Sequence, residues 1–149
     1  MVTEPDLSFC GLSVCVDRWQ FPDASDYWDG NWLMIRVRME AHGAHVEFAG
    51  PILMTADFER FRDQLVAMVD TLTGEATLAS LEPQLNMVLK MQQRGHVLGM
   101  VEITPDHLSQ HHRFQVEADQ SYLPALISSC NTILSRFPVI NTSDRGHSL

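Results

Sequence analysis

Residues 31–50, NWLMIRVRMEAHGAHVEFAG, decide the fold. Leu33, Ile35, Val37 and Met39 fall on one parity, and Met34, Arg36, Arg38 and Glu40 on the other. Strict alternation describes a strand with one face on a core and one in water, the usual antiparallel case. His42-Gly43 reads as a turn, and Val46 and Phe48 then alternate with His45 and Glu47, so the stretch predicts a hairpin. Gly50-Pro51 is expected to weaken or end the returning strand, because proline cannot donate to a ladder.

On the C-terminal side the period changes. Phe58, Phe61, Leu65, Met68 and Leu72 recur at spacings of three and four and form one apolar stripe. Thr55 is the expected N-cap, Asp57 and Glu59 suit the positive end of the helix dipole, and Gly74 is the expected stop. The prediction is a helix over 55–72. Residues 76–118 then read as an antiparallel meander. Leu85, Met87, Leu89 and Met91 alternate, Arg94-Gly95 turns, and Val97, Gly99, Val101 and Ile103 alternate again. Pro105-Asp106 interrupts, and Phe114 and Val116 close the series. Ser121 is the expected cap of a second helix, 121–137, with Pro124 tolerated in its first turn and Pro138 ending it. On the N-terminal side, 7–18 reads as one strand and 22–30 as a polar loop.

The resulting fold class is α+β: an antiparallel curved β-sheet of about six or seven strands packed against two α-helices, 55–72 and 121–137. The order lacks alternating βα units, which argues against a doubly wound parallel sheet. No internal repeat is visible. Residues 1–140 are expected to form a single α+β domain, with 141–149 a polar tail.

The 149 residues are 45% hydrophobic and 19% charged, which excludes disorder as the dominant state. Apolar runs such as Leu33-Met34-Ile35 fall far short of the ~20 residues a membrane helix needs. Net charge is −9, and Lys90 is the only lysine. Glu4, Asp6, Asp17, Asp23, Asp26 and Asp29 face only Arg18 within the first 29 residues. Such a field repels phosphate backbones and attracts basic partners, so direct nucleic-acid binding is not expected. Three cysteines at unpatterned spacing, and an N-terminus without a basic and apolar leader, predict reduced thiols and a cytoplasmic protein. If 7–18 is one strand, Cys10 and Cys15 stand on opposite faces and cannot bridge.

Little points to catalysis. There is no nucleophile elbow, no phosphate-cradling glycine loop and no Cys-x-x-Cys. His42-x-x-His45 and His107-x-x-x-His111-His112 lack helical metalloprotease spacing, and histidines in a strand connection are usually solvated. No metal and no cofactor are expected. A metal-dependent enzyme built on His107, His111 and His112 is the least favoured alternative. Met34, Leu98 and Met100 sit off the best apolar parity and could form a mild patch on the open face of the sheet. The most unusual segment is Asp26-Tyr27-Trp28-Asp29-Gly30-Asn31-Trp32, with three aromatic rings and two acids. Exposed Trp and Tyr anchor interfaces, and acids beside them select basic partners. Trp32 is expected in the core.

This segment also carries a resemblance. Asp29-Gly30-Asn31-Trp32-Leu33 at the head of an alternating strand is similar to the pattern of WapI family immunity proteins. So is the order of the later elements: a helix bearing Phe58, Phe61 and Leu65, then Leu81-Glu82-Pro83, then Asp119-Gln120-Ser121 entering the last helix. The similarity runs over about residues 8–140. It implies a bacterial protein that binds and neutralises a cognate toxin, often a nuclease, without turnover, and it supplies no catalytic or metal residues. Together with the charge it points to a basic toxin as partner. Asp23, Asp26, Tyr27, Trp28 and Asp29 are the expected contact residues. The alternative is a non-enzymatic domain that binds a small ligand or a regulatory partner.

Overall fold

The computed structural model describes residues 4–141. Eight strands form two four-stranded antiparallel sheets, each a simple meander. The first holds β1 (Leu7–Phe9), β2 (Leu12–Trp19), β3 (Trp32–Ala41) and β4 (Ala44–Met54). A four-residue helix, α1 (Tyr27–Gly30), interrupts the β2–β3 connection. After α2 (Thr55–Thr71) comes the second sheet: β5 (Glu75–Ala79), β6 (Leu85–Met91), β7 (His96–Ile103) and β8 (Arg113–Asp119). A 3₁₀ turn at Gln120–Tyr122 leads into α3 (Leu123–Arg136). The α+β class, the antiparallel pairing and both expected helices are observed. The strands are divided between two sheets rather than joined in one. Most of the expected tail, 142–149, lies outside the described residues.

The order of elements is four strands and a helix, twice over. The repetition is one of topology, and the two halves share no recognisable sequence pattern. One buried cluster unites them, with Leu12, Val14, Leu33, Ile35 and Leu53 of the first sheet, Leu78, Met87, Leu89 and Val101 of the second, and Phe58, Phe61, Leu65, Leu126 and Ile133 of the helices. In each case the buried side chains are those on the apolar parity or stripe, which burial of apolar area favours.

Several local readings change. Residues 7–18 are a tight hairpin, not one strand. Cys10 (φ 48°) and Gly11 (φ 94°) supply the two left-handed positions of a two-residue turn. A Cβ on Gly11 would come within 2.2 Å of the Glu40 carbonyl oxygen, so only glycine lets the turn lie against β3. Cys10 therefore sits in a turn, with its thiol on the Glu117 carbonyl at 3.7 Å. Gly50-Pro51 does not end β4. Leu33 pairs with Leu53 and Ile35 with Gly50, leaving Pro51 and Ile52 opposite Met34 in a bulge on an edge strand, where a missing N–H costs no ladder bond.

The helix caps also differ. Thr55 is the first helical residue, and its hydroxyl donates to the Phe137 carbonyl. The cap comes from the buried Asp57 carboxylate, which accepts the Met54 N–H at 2.7 Å and pairs with Arg60. Burial raises the Asp57 pKa, against the lowering by that backbone bond and by Arg60. Chain reversal begins at Leu72 (φ 53°), before the expected Gly74. At the 3₁₀ turn that leads into α3, Asp119, not Ser121, is the capping acceptor. It takes the Ser121 N–H at 2.8 Å and the Ser121 hydroxyl, and these bonds lower its pKa. Met34 and the pair Leu98 and Met100 lie on different sheets and are half-buried, so the mild patch does not assemble.

Candidate functional site

The β2–β3 connection is held by one buried side chain. Asn31 is fully buried. Its Nδ2 donates to the carbonyls of Tyr27 and Ile140, each at 2.9 Å, and its Oδ1 accepts the Ile140 N–H at 2.7 Å. Its own carbonyl accepts the Thr55 N–H at 2.8 Å. One asparagine thus ties together α1, the head of α2 and the segment after α3. Gly30 beside it is buried, and a Cβ there would stand 3.1 Å from Ile140 Cδ1 and 3.2 Å from the Ala24 carbonyl. The Gly30-Asn31 pair is therefore scaffolding. No periodicity marks it, and the resemblance of Asp29–Leu33 is its only sign in the sequence.

On this scaffold α1 presents the predicted residues. Asp26 is the N-cap, its Oδ2 accepting the Asp29 N–H at 3.2 Å. Tyr27 is half-buried, and Trp28 is 60% exposed, with the two rings edge to face at 5.1 Å. Asp23 and Asp29 are exposed and make no ion pair among the described residues. Tyr27 also forms one wall of an open groove of about 460 Å³, completed by Ala56, Glu59, Arg60, Asp63 and Gln64 of α2. Asp23 stands apart, on a neighbouring cleft of about 370 Å³ with Phe21, Pro22 and Val139. The structure brings Asp26, Tyr27, Trp28 and Asp29 onto one helical turn and sets Asp23 at its approach. Trp32, expected in the core, is half-buried at the start of the central strand β3.

The N-terminal acids divide into two groups. Asp17 grips Arg36 with two bonds of 2.9 Å, and Asp6 holds Arg136 at 2.8 Å and the Val16 N–H at 2.6 Å. Those two stitch the fold. Glu4, Asp23 and Asp29 are exposed, and Asp26, half-buried, caps α1.

Among the described residues the histidines form no metal cluster, although His107 and His111 line one cleft. His111 bonds Glu102 at 2.9 Å, His112 bonds Gln110 at 3.1 Å, and His45 lies between Glu40 and Glu47. Among the described residues no group of three or more His, Cys, Asp or Glu is placed to hold a metal ion. Burial pushes the Cys130 thiol up to about 12 and raises Cys10, so neither is activated as a thiolate.

The chain belongs to the immunity protein WapI-like family, whose model matches residues 4–138. Members of this family are non-catalytic toxin inhibitors, and membership implies binding of a cognate toxin. No curated protein matches the chain in sequence. Among solved structures, the chain is similar to a chain of the CdiA-CT/CdiI toxin and immunity complex from Enterobacter cloacae. The TM-score is 0.42 at 11% identity, covering 68% of this chain and 89% of that one. It is also similar to WHY1 from Arabidopsis thaliana, with TM-score 0.47, 12% identity and coverage of 87% and 83%. No helix among the described residues is long and apolar enough to cross a membrane.

Proposed function

We propose that the chain neutralises a basic toxin by stoichiometric binding in the cytoplasm, and that the α1 turn is the docking surface. The observation that carries this reading is Trp28. A tryptophan 60% exposed, braced edge-on by Tyr27 and set between carboxylates without cationic partners, is costly to leave in water unless something covers it. A nuclease must present cations to phosphates, and carboxylates placed against those cations would occupy the same surface. Asp23, Asp26 and Asp29 supply the long-range attraction, and Trp28 supplies the desolvated anchor.

Co-expression with the toxin encoded beside it tests the reading. The pair should co-purify one to one and restore growth. Trp28→Ala should weaken the complex by about 30-fold or more, the scale of an interface anchor, without changing the melting temperature. Asp23→Asn with Asp29→Asn should slow association and flatten its salt dependence. A toxin bound equally well by all these variants would overturn the assignment of the surface, and failure to co-purify would overturn the function.

A further inference from the structure

The second sheet carries a polar cleft for which toxin docking at α1 has no use. It holds about 470 Å³ between the β5–β6 turn and the β7–β8 connection, and its walls include Ser80, Leu81, Asn86, Glu102, Thr104 and His111. Asn86 and Glu102 are cross-strand partners on β6 and β7, so their side chains share one face of the sheet.

Most polar groups of the cleft are already committed. The Ser80 hydroxyl donates to the Ile52 carbonyl at 2.5 Å and accepts the Glu82 N–H. The Thr104 hydroxyl accepts the His112 N–H, and His111 Nε2 meets Glu102 Oε2. Besides the His107 ring and the Asn86 Nδ2, what is left is acceptor capacity. The second carboxylate oxygen of Glu102 has no partner among the described residues, and Asn86 Oδ1 is buried without a hydrogen bond. A buried carbonyl without a donor loses its hydration with nothing in return. The terminal torsion of asparagine is soft, and the contact proposed below requires the rotation that brings Oδ1 to the cleft.

Neither lysine nor arginine lines this space, and Glu102 makes it unfavourable for anions. The missing complement is a cation rich in N–H groups. A guanidinium offers five donors in a planar fork, enough for the Glu102 carboxylate and the Asn86 carbonyl together. Leu81, 77% exposed on the rim, can cover an aliphatic stem. We infer that this cleft is a second recognition site, taking an arginine side chain of a protein partner. It rests on the toxin-binding reading only for the source of that arginine.

The test uses the full chain and N-acetyl-arginine amide, with no toxin present, so its failure and a failure of docking at α1 are separate results. The side-chain amide signal of Asn86 should shift saturably, with a dissociation constant on the order of 1–10 mM for so small a probe. N-acetyl-lysine amide should bind about tenfold more weakly, for want of the fork. Glu102→Gln should lose about tenfold, and Asn86→Leu should bind more weakly while melting no lower than the parent, which separates lost recognition from lost folding. Glu47→Gln, on the other sheet, should bind as the parent does. The inference is overturned by an unsaturable response, by an equal response to the lysine probe, by an unchanged Glu102→Gln, or by free arginine binding more tightly than the capped residue.

Discussion

Each half of the molecule places an asparagine beside its first long hydrogen-bonded strand pair, and the two are used in opposite ways. Asn31, at the head of β3, is buried with both side-chain polar atoms bonded and links three separate stretches of chain. Asn86, on β6, has a buried carbonyl that nothing answers. The same contrast runs through the surrounding strands. The first sheet is irregular, with register shifts between Val16 and Arg18 and between Leu33 and Ile35, and it bears the inserted α1. The second is a regular meander paired without a break from Leu85–Ile103 to Met91–Val97. A saturated polar group fixes a loop. An unsaturated one lowers stability until something answers it.

Exchanging the two side chains for leucine would break the comparison most directly. Asn31→Leu removes three bonds and strands two partners in the interior, and should destabilise by about 3–5 kcal/mol. Asn86→Leu removes an unanswered carbonyl, and should leave stability unchanged or raise it by about 1 kcal/mol. Urea unfolding of both variants gives the sign in one experiment. Equal losses would mean that the halves do not differ in this way.

Two turn glycines sharpen it further. Gly11→Ala meets both a positive φ and the Glu40 carbonyl, and should cost about 2–4 kcal/mol, whereas Gly43→Ala meets open space and should cost only the left-handed strain of about 1 kcal/mol. Denaturant midpoints check the pair.

Much of this is legible in the residues alone, and for a local reason. Alternation and the three-four stripe record which face of each element is dry, so the hairpin at 31–50, α2, the later meander and α3 can be read residue by residue. Alternation says nothing about which strand is the neighbour, so the division into two sheets stays hidden. Cys10-Gly11 lies within an apolar alternation that masks its turn. At the candidate site, Tyr27 and Trp28 are visible as composition. Asn31 is not visible as a buried clamp, because its partners Ile140 and Thr55 are distant in sequence and no pattern announces a lone buried amide. The cleft at Asn86 is equally silent: its histidines suggest metal chemistry, when the informative atom is an amide carbonyl.

Smaller effects test how helix ends are finished. Asp57 has its pKa raised by burial, so the folded chain binds a proton there at a pH where the unfolded chain has lost it. Its ionisation therefore lowers stability as pH rises from the unfolded value through the folded one, and the loss persists above. Asp57→Asn keeps an acceptor for the Met54 N–H and should be slightly stabilising at neutral pH, the gain vanishing in acid; thermal melts across pH read it. Leu72→Gly relieves a left-handed leucine at the end of α2 and should gain about 0.5–1 kcal/mol by the same melts.

The clasp between Asn31 and Ile140 also sets an order in time. A nascent chain that has emerged only through α3 has both sheets and both long helices, yet lacks the backbone groups that lock the α1 turn in place. The α1 turn is therefore locked only once residues 137–140 have been made and have folded back. A chain cut short just before them is expected to look nearly native by its strand and helix content and, under the proposed docking at α1, to lose its grip on the toxin.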